Sequence, residues 1–149
     1  MDSKWQLLLG RVLLSAIFIL SGLGKLPHFQ AVAGMMASKG IPLATVALVI
    51  TLLIEIGGGL LVLTGYKAKY AALVIALWLI PVTLVFHHFW AIPAEQQQEQ
   101  MVNFLKNVAI MGGLFVVAAL GTDGFSIDRL RFRARAERVG RRDQPVMVG

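Results

Sequence analysis

From Tyr70 to Ala94 the chain carries no Asp, Glu, Lys or Arg, a run longer than the roughly 20 residues a helix needs to cross the hydrocarbon of a bilayer. A composition of 57% apolar and 15% charged residues agrees with that and argues against a soluble domain. A backbone in lipid must satisfy its own polar groups, so runs of this kind fold as helices. Similar runs flank this one, and together they predict spans at about residues 7–24, 43–64, 70–87 and 101–120. The expected fold is therefore all-α: a four-transmembrane-helix bundle over residues 1–128, followed by a basic, flexible tail over residues 129–149. Residues 26–42 are too polar and too broken by Pro27, Gly40 and Pro42 to span. Phe29, Val32, Met35 and Met36 share a face there, which predicts a short interfacial helix between spans 1 and 2, or a helix that lids the bundle.

The polar residues inside these runs carry the functional question. Glu55 lies in the middle of the second span and is followed by Gly57, Gly58 and Gly59. A charge at membrane depth costs about 2.5–3.5 kcal/mol on insertion scales, so it should face a partner within the protein. Thr51, Glu55 and Gly59 lie one turn apart, and the glycines would admit a close helix or a flat ligand. On the first span Arg11, Ser15, Phe18, Gly22 and Lys25 share one face. Measured from the span ends, Arg11 and Glu55 differ in depth by only several ångströms at about 1.5 Å per residue. Arg11 is thus the favoured partner of Glu55, though its place near the span end also fits snorkelling. Lys106, on a face with Asn103, Asn107 and Ile110, is the competing partner, while Lys25 reads as an interfacial anchor. Pro81 should kink the third span, and His87 shares a face with Thr83 near its aromatic end, Phe86 to Trp90.

Several chemistries are excluded. No cysteine is present, which removes dithiol exchange, cysteine-bound clusters and disulfides within this chain. His87 and His88 are adjacent and cannot point the same way on a helix, so no metal site is expected from them. Half of the 14 basic residues are Arg129, Arg131, Arg133, Arg135, Arg138, Arg141 and Arg142. The net charge of +6 therefore belongs largely to one tail, without a folded element that could read nucleic acid. Its alternating arginines fit a strand, but no partner strand is available, so a solvated stretch drawn to anionic headgroups is the better reading. Lys4, Lys67, Lys69 and this tail fall at one end of a four-span topology, which places both termini in the cytoplasm.

The pattern Gly10-Arg11, Ser21-Gly22-Leu23-Gly24-Lys25, Gly40-Ile41-Pro42, Glu55-Ile56-Gly57-Gly58-Gly59, Phe86-His87, Phe104-Leu105-Lys106-Asn107, Gly112-Gly113 and Ser126-Ile127-Asp128-Arg129-Leu130 resembles the DoxX family across roughly residues 8–130. The resemblance implies a small four-helix protein of the bacterial inner membrane. Some members are described as the membrane subunit of a thiosulfate:quinone oxidoreductase, and others accompany redox enzymes. The wider superfamily resembles four-helix thiol oxidoreductases that reduce quinones, and the missing cysteines separate this chain from their chemistry.

Three functions follow as expectations. The first is a quinone- or lipid-binding accessory subunit of a redox system, with Glu55, Arg11, Lys106, Asn107, His87, Gly58 and Gly59 as candidate ligand-binding residues. No intrinsic cofactor is expected, and electrons would come from a partner redox enzyme or another membrane protein. The second is a structural or assembly factor that holds or helps insert a larger membrane complex; membrane lipids and a homo-oligomer are among the expected partners of the bundle as a whole. The third is transport of a small solute or proton along the intramembrane charges.

Overall fold

The structure is a computed structural model and describes residues 2–121 and 125–142, with side chains through residue 138. Every regular element among them is helical. The first span is α1, Ser3–Lys25, followed by the short α2, Phe29–Ser38. The second span is α3, Ala44–Thr64, a continuous helix whose middle turn, Leu53–Gly58, is π-helical. Next come α4, Ala68–Phe86, a 3₁₀ turn at Phe89–Ala91, and the longest helix, α5, Ala94–Leu120. The chain ends in α6, Ile127–Arg142. α1, α3, α4 and α5 are each long and apolar enough to cross a membrane. Residues 122–124 and the tail beyond residue 142 lie outside the described residues.

Leucines such as Leu13, Leu20, Leu53 and Leu77 are 60–69% exposed on these helices. An outward leucine surface is what lipid, not water, selects. Inside, the core is built from small residues: Ala71, Ala72 and Ala76 of α4 pack with Phe18, Val62, Ile75, Leu79, Leu114, Val117 and Ala118. Small side chains let backbones approach where lipid offers no hydrophobic drive toward association. The face expected on α1 is the buried one, since Arg11, Ser15, Phe18 and Gly22 are all buried.

The glycines after Glu55 serve this packing. A Cβ on Gly59 would lie 2.8 Å from Ile19 Cγ1, and one on Gly58 would lie 3.0 Å from Ile75, whereas Gly57 has nothing within 4 Å. Gly59→Ala is therefore expected to destabilise by about 1–3 kcal/mol through overpacking. Gly57→Ala should be neutral or raise stability by up to about 1 kcal/mol, because alanine is the better helix former. Thermal unfolding in detergent compares the two; equal effects would contradict this packing.

α2 does not stand apart. Ala33 and Met36 are buried against Leu48 and Leu52, with Phe29, Val32 and Phe86 packed around them. The first turns of α3 thus extend past the end of α1 and pair with α2, which lids the bundle. At the opposite end the arginine-rich stretch, expected as a solvated tail, is helical through Arg142 and exposed from Arg131 to Arg138. Its first residues dock onto the α3–α4 turn. Asp128 accepts a hydrogen bond from the Lys67 amide at 2.8 Å, and the Arg131 guanidinium lies 4.7 Å from the Tyr66 ring centroid.

Candidate functional site

Between α1, α3, α4, α5 and the lid α2 lies a cavity of about 560 Å³, within the size range of small-molecule sites. Its walls are mostly apolar: Phe18, Val32, Met35, Met36, Leu48, Trp78, Val82 and Phe86 contribute. Two polar clusters interrupt them.

The first cluster joins α1 to α3. Lys25 Nζ donates to both Glu55 oxygens at 2.8 and 2.7 Å, and to Ser21 Oγ at 2.7 Å. This is the single ion pair among the described residues. It corrects the partner expected for Glu55, which is neither Arg11 nor Lys106. The cause is helix register. Gly22 packs against Ile56 and the Glu55 Cβ, and Ile19 meets Gly59, so Arg11 stands level with Gly65. Ten residues separate Gly65 from Glu55, roughly 15 Å along the helix, beyond an arginine's reach. Measuring depth from the span ends concealed this, because α3 overhangs α1 where α2 covers it. The π-helical turn is centred on Glu55, an insertion of the kind often found at functional sites.

The second cluster lies on α4 and α5. Asn107 is buried and its Nδ2 donates to Thr83 Oγ1 at 3.1 Å, while Thr83 donates in turn to the Leu79 carbonyl at 2.6 Å. His87 Nδ1 and Gln100 Oε1 lie 2.8 Å apart. Lys106 Nζ donates to Asn103 Oδ1 at 2.9 Å. His87, Asn103, Lys106 and Asn107 all line the cavity. Trp78 lines it too, and its indole N–H is buried with no acceptor among the described residues. A buried donor without a partner is uncommon in native structures.

Of the residues singled out from sequence, the cavity thus gathers Glu55, His87, Lys106 and Asn107. Gly58 and Gly59 instead face neighbouring helices. Arg11 lies at the far end of the bundle, buried beside Gly65, with Nη2 donating to the Phe125 carbonyl. Lys25, Ser21, Trp78 and the α2 methionines were missed as site residues. Lys25 carried a usable signal, being one turn beyond Gly22 on the buried face of α1. The aromatics that follow α4 make edge-to-face contacts with α5, with Phe89–Phe104 centroids 5.6 Å apart and Trp90–Phe104 centroids 5.8 Å apart.

Comparison with known proteins places this architecture. Residues 6–88 match the DoxX family model. The inner membrane protein YqjF of Escherichia coli K12 is 33% identical over 83% of this chain and 89% of its own length. The inner membrane protein YphA of the same organism is 29% identical over 83% of this chain and 88% of its own length. A surfeit locus protein 4 homolog of Schizosaccharomyces pombe is 27% identical over 81% of this chain, but over only 36% of its own length. No solved structure matches. The family match covers more than half the chain, and four apolar helices of spanning length agree with the inner membrane relatives; the chain belongs to the DoxX family of inner membrane proteins.

Proposed function

We propose that this protein is a quinone-binding accessory subunit of a membrane redox system, with both termini on the cytoplasmic side. The observation that supports the reading is a cavity among the spanning helices with one polar cluster on α1 and α3 and another on α4 and α5. A quinone head is a flat apolar ring with a carbonyl at each end, so it needs hydrogen-bond donors on two sides and apolar surface between. Lys25 with Glu55 on one wall, and Lys106, Asn103 and His87 on the other, meet that need. The Trp78 N–H adds a donor that awaits an acceptor.

A bound quinone would supply the electron-carrying chemistry, with electrons delivered by a partner enzyme. This chain's own residues would hold the ring, keep the cavity apolar under the α2 lid, and exchange protons at the carbonyl oxygens. Support for the orientation comes from the gathering of Lys4, Lys67, Lys69 and α6 at one end of the bundle, since basic excess marks the cytoplasmic face.

Extraction and chromatography of the detergent-purified protein test the reading. Quinone retained at close to one equivalent is expected, falling at least about tenfold in Lys106→Ala and in the charge-free pair Lys25→Met/Glu55→Leu, as loss of two charge-assisted hydrogen bonds requires. Protein that retains no quinone and shows no saturable binding on titration would overturn it.

A further inference from the structure

The opposite end of the bundle holds a second cavity, of about 510 Å³, between the start of α1, the end of α3 and the first turns of α6. It is lined by Lys4, Thr64, Ser126, Arg129 and Arg133, with Phe125, Ile127 and Leu130 as apolar lining. No carboxylate among the described residues lines it. Asp128, next to Arg129 in the chain, is engaged elsewhere with the Lys67 amide, and Glu137, one turn beyond Arg133, does not line the cavity. Lys4, Arg129 and Arg133 have no ion-pair partner among the described residues. Arg129 and Arg133 are four residues apart and therefore on one face of α6, turned to the cavity that Lys4 closes from α1.

Three cations converging on one cleft, with no carboxylate among the described residues lining it, give it a positive potential. We infer that this cleft binds the phosphate of an anionic phospholipid headgroup, an interaction separate from the quinone-binding reading and carried by different residues. The phosphate would take charge-assisted hydrogen bonds from the two guanidinium groups, which match its geometry well, and a point charge from Lys4. Two features favour a lipid over a free phosphate. The cleft sits at the membrane-facing end of spanning helices, the position where basic pockets between helices hold anionic headgroups. Its rim is also greasy: Leu130 and Trp5 are more than half exposed, with Trp5 packed at a tilt against Phe125 at a centroid distance of 4.8 Å. Such a rim gives acyl chains a surface and gives an indole its usual interfacial place. A lipid bound here would bridge α1 to α6.

The test is native mass spectrometry of the full-length, detergent-purified protein titrated with phosphatidylglycerol or phosphatidylcholine, with inorganic phosphate as a competitor. One phosphatidylglycerol is expected to bind at least about tenfold more tightly than phosphatidylcholine. Arg129→Gln/Arg133→Gln should lose roughly 10–30-fold in that affinity, from two basic contacts at a membrane surface. Arg135→Gln/Arg138→Gln removes the same charge from the other side of α6 and should lose less than about threefold. Equal binding of the two lipids would overturn the inference, as would equal losses in the two double variants. Displacement of phosphatidylglycerol by millimolar inorganic phosphate would overturn the lipid assignment in favour of a free-phosphate site.

Discussion

Replacing Lys25 by methionine is expected to destabilise the bundle by about 2–3 kcal/mol, and replacing Glu55 by leucine by a similar amount, while the double replacement costs under about 1 kcal/mol. Removing one member of a buried pair strands the other charge where water is scarce, at roughly 3–5 kcal/mol for full burial. The Lys25 and Glu55 side chains are 25% and 15% exposed, so the penalty here is discounted below that range. Removing both members leaves an apolar contact between α1 and α3 at a site where Gly22 already meets Ile56. Thermal unfolding in detergent, assembled into a double-mutant cycle, reads a coupling of at least about 3 kcal/mol. Additive losses would show that the pair does not hold the helices together.

The second large effect is expected at Gly65, where alanine should cost about 2–4 kcal/mol. Gly65 adopts a left-handed backbone with φ +69°, the usual way a helix such as α3 is terminated. A side chain there pays for that conformation, by about 1–2 kcal/mol. It also meets the Arg11 guanidinium and Ser126, adding overpacking of about 1–2 kcal/mol. Gly40 supplies the control: its φ is +78°, yet nothing lies within 4 Å of an added Cβ, so Gly40→Ala should cost about 1–2 kcal/mol only. Arg11, buried beside the carboxyl end of α3, is held partly by the negative pole of that helix and partly by the Phe125 carbonyl. Displacing it should undock α6. Limited trypsin digestion is therefore expected to cleave within Arg129–Arg138 several-fold faster in Gly65→Ala than in Gly40→Ala. Equal rates in the two variants would contradict this role of Arg11 in docking α6.

Much of this architecture was legible in the sequence because spans and faces are local properties. Apolar run length marked α1, α3, α4 and α5, and the spacing of Arg11, Ser15, Phe18 and Gly22 marked the buried side of α1. Helix register was not legible. Periodicity says which way a side chain points but not its height against a neighbour, so Glu55 was matched with Arg11 by counting from span ends. The relevant height is set by α2, whose packing on Leu48 and Leu52 lets α3 overhang α1. The π-helical turn around Glu55 was hidden for a related reason: one extra residue in a turn leaves no mark on an apolar pattern. The arginine-rich stretch misled through its two-residue alternation. Arginine, alanine, leucine and glutamate are all good helix formers, and no glycine or proline interrupts residues 127–139, so propensity held the better signal there. The site itself was half visible, as Glu55, His87, Lys106 and Asn107 were marked by polarity inside apolar runs. Trp78, Met35 and Met36 carry no such mark, because a cavity wall and a core look alike in sequence.

Photolabelling with an azido-quinone, followed by peptide mass spectrometry, tests the central claim most directly. The account predicts saturable labelling of the cavity wall, at Met35, Met36, Trp78, Val82 or Phe86, competed by unlabelled quinone and lost in Lys25→Met/Glu55→Leu. Labelling confined to the lipid-facing Leu13, Leu77 and Leu105, without saturation, would contradict it.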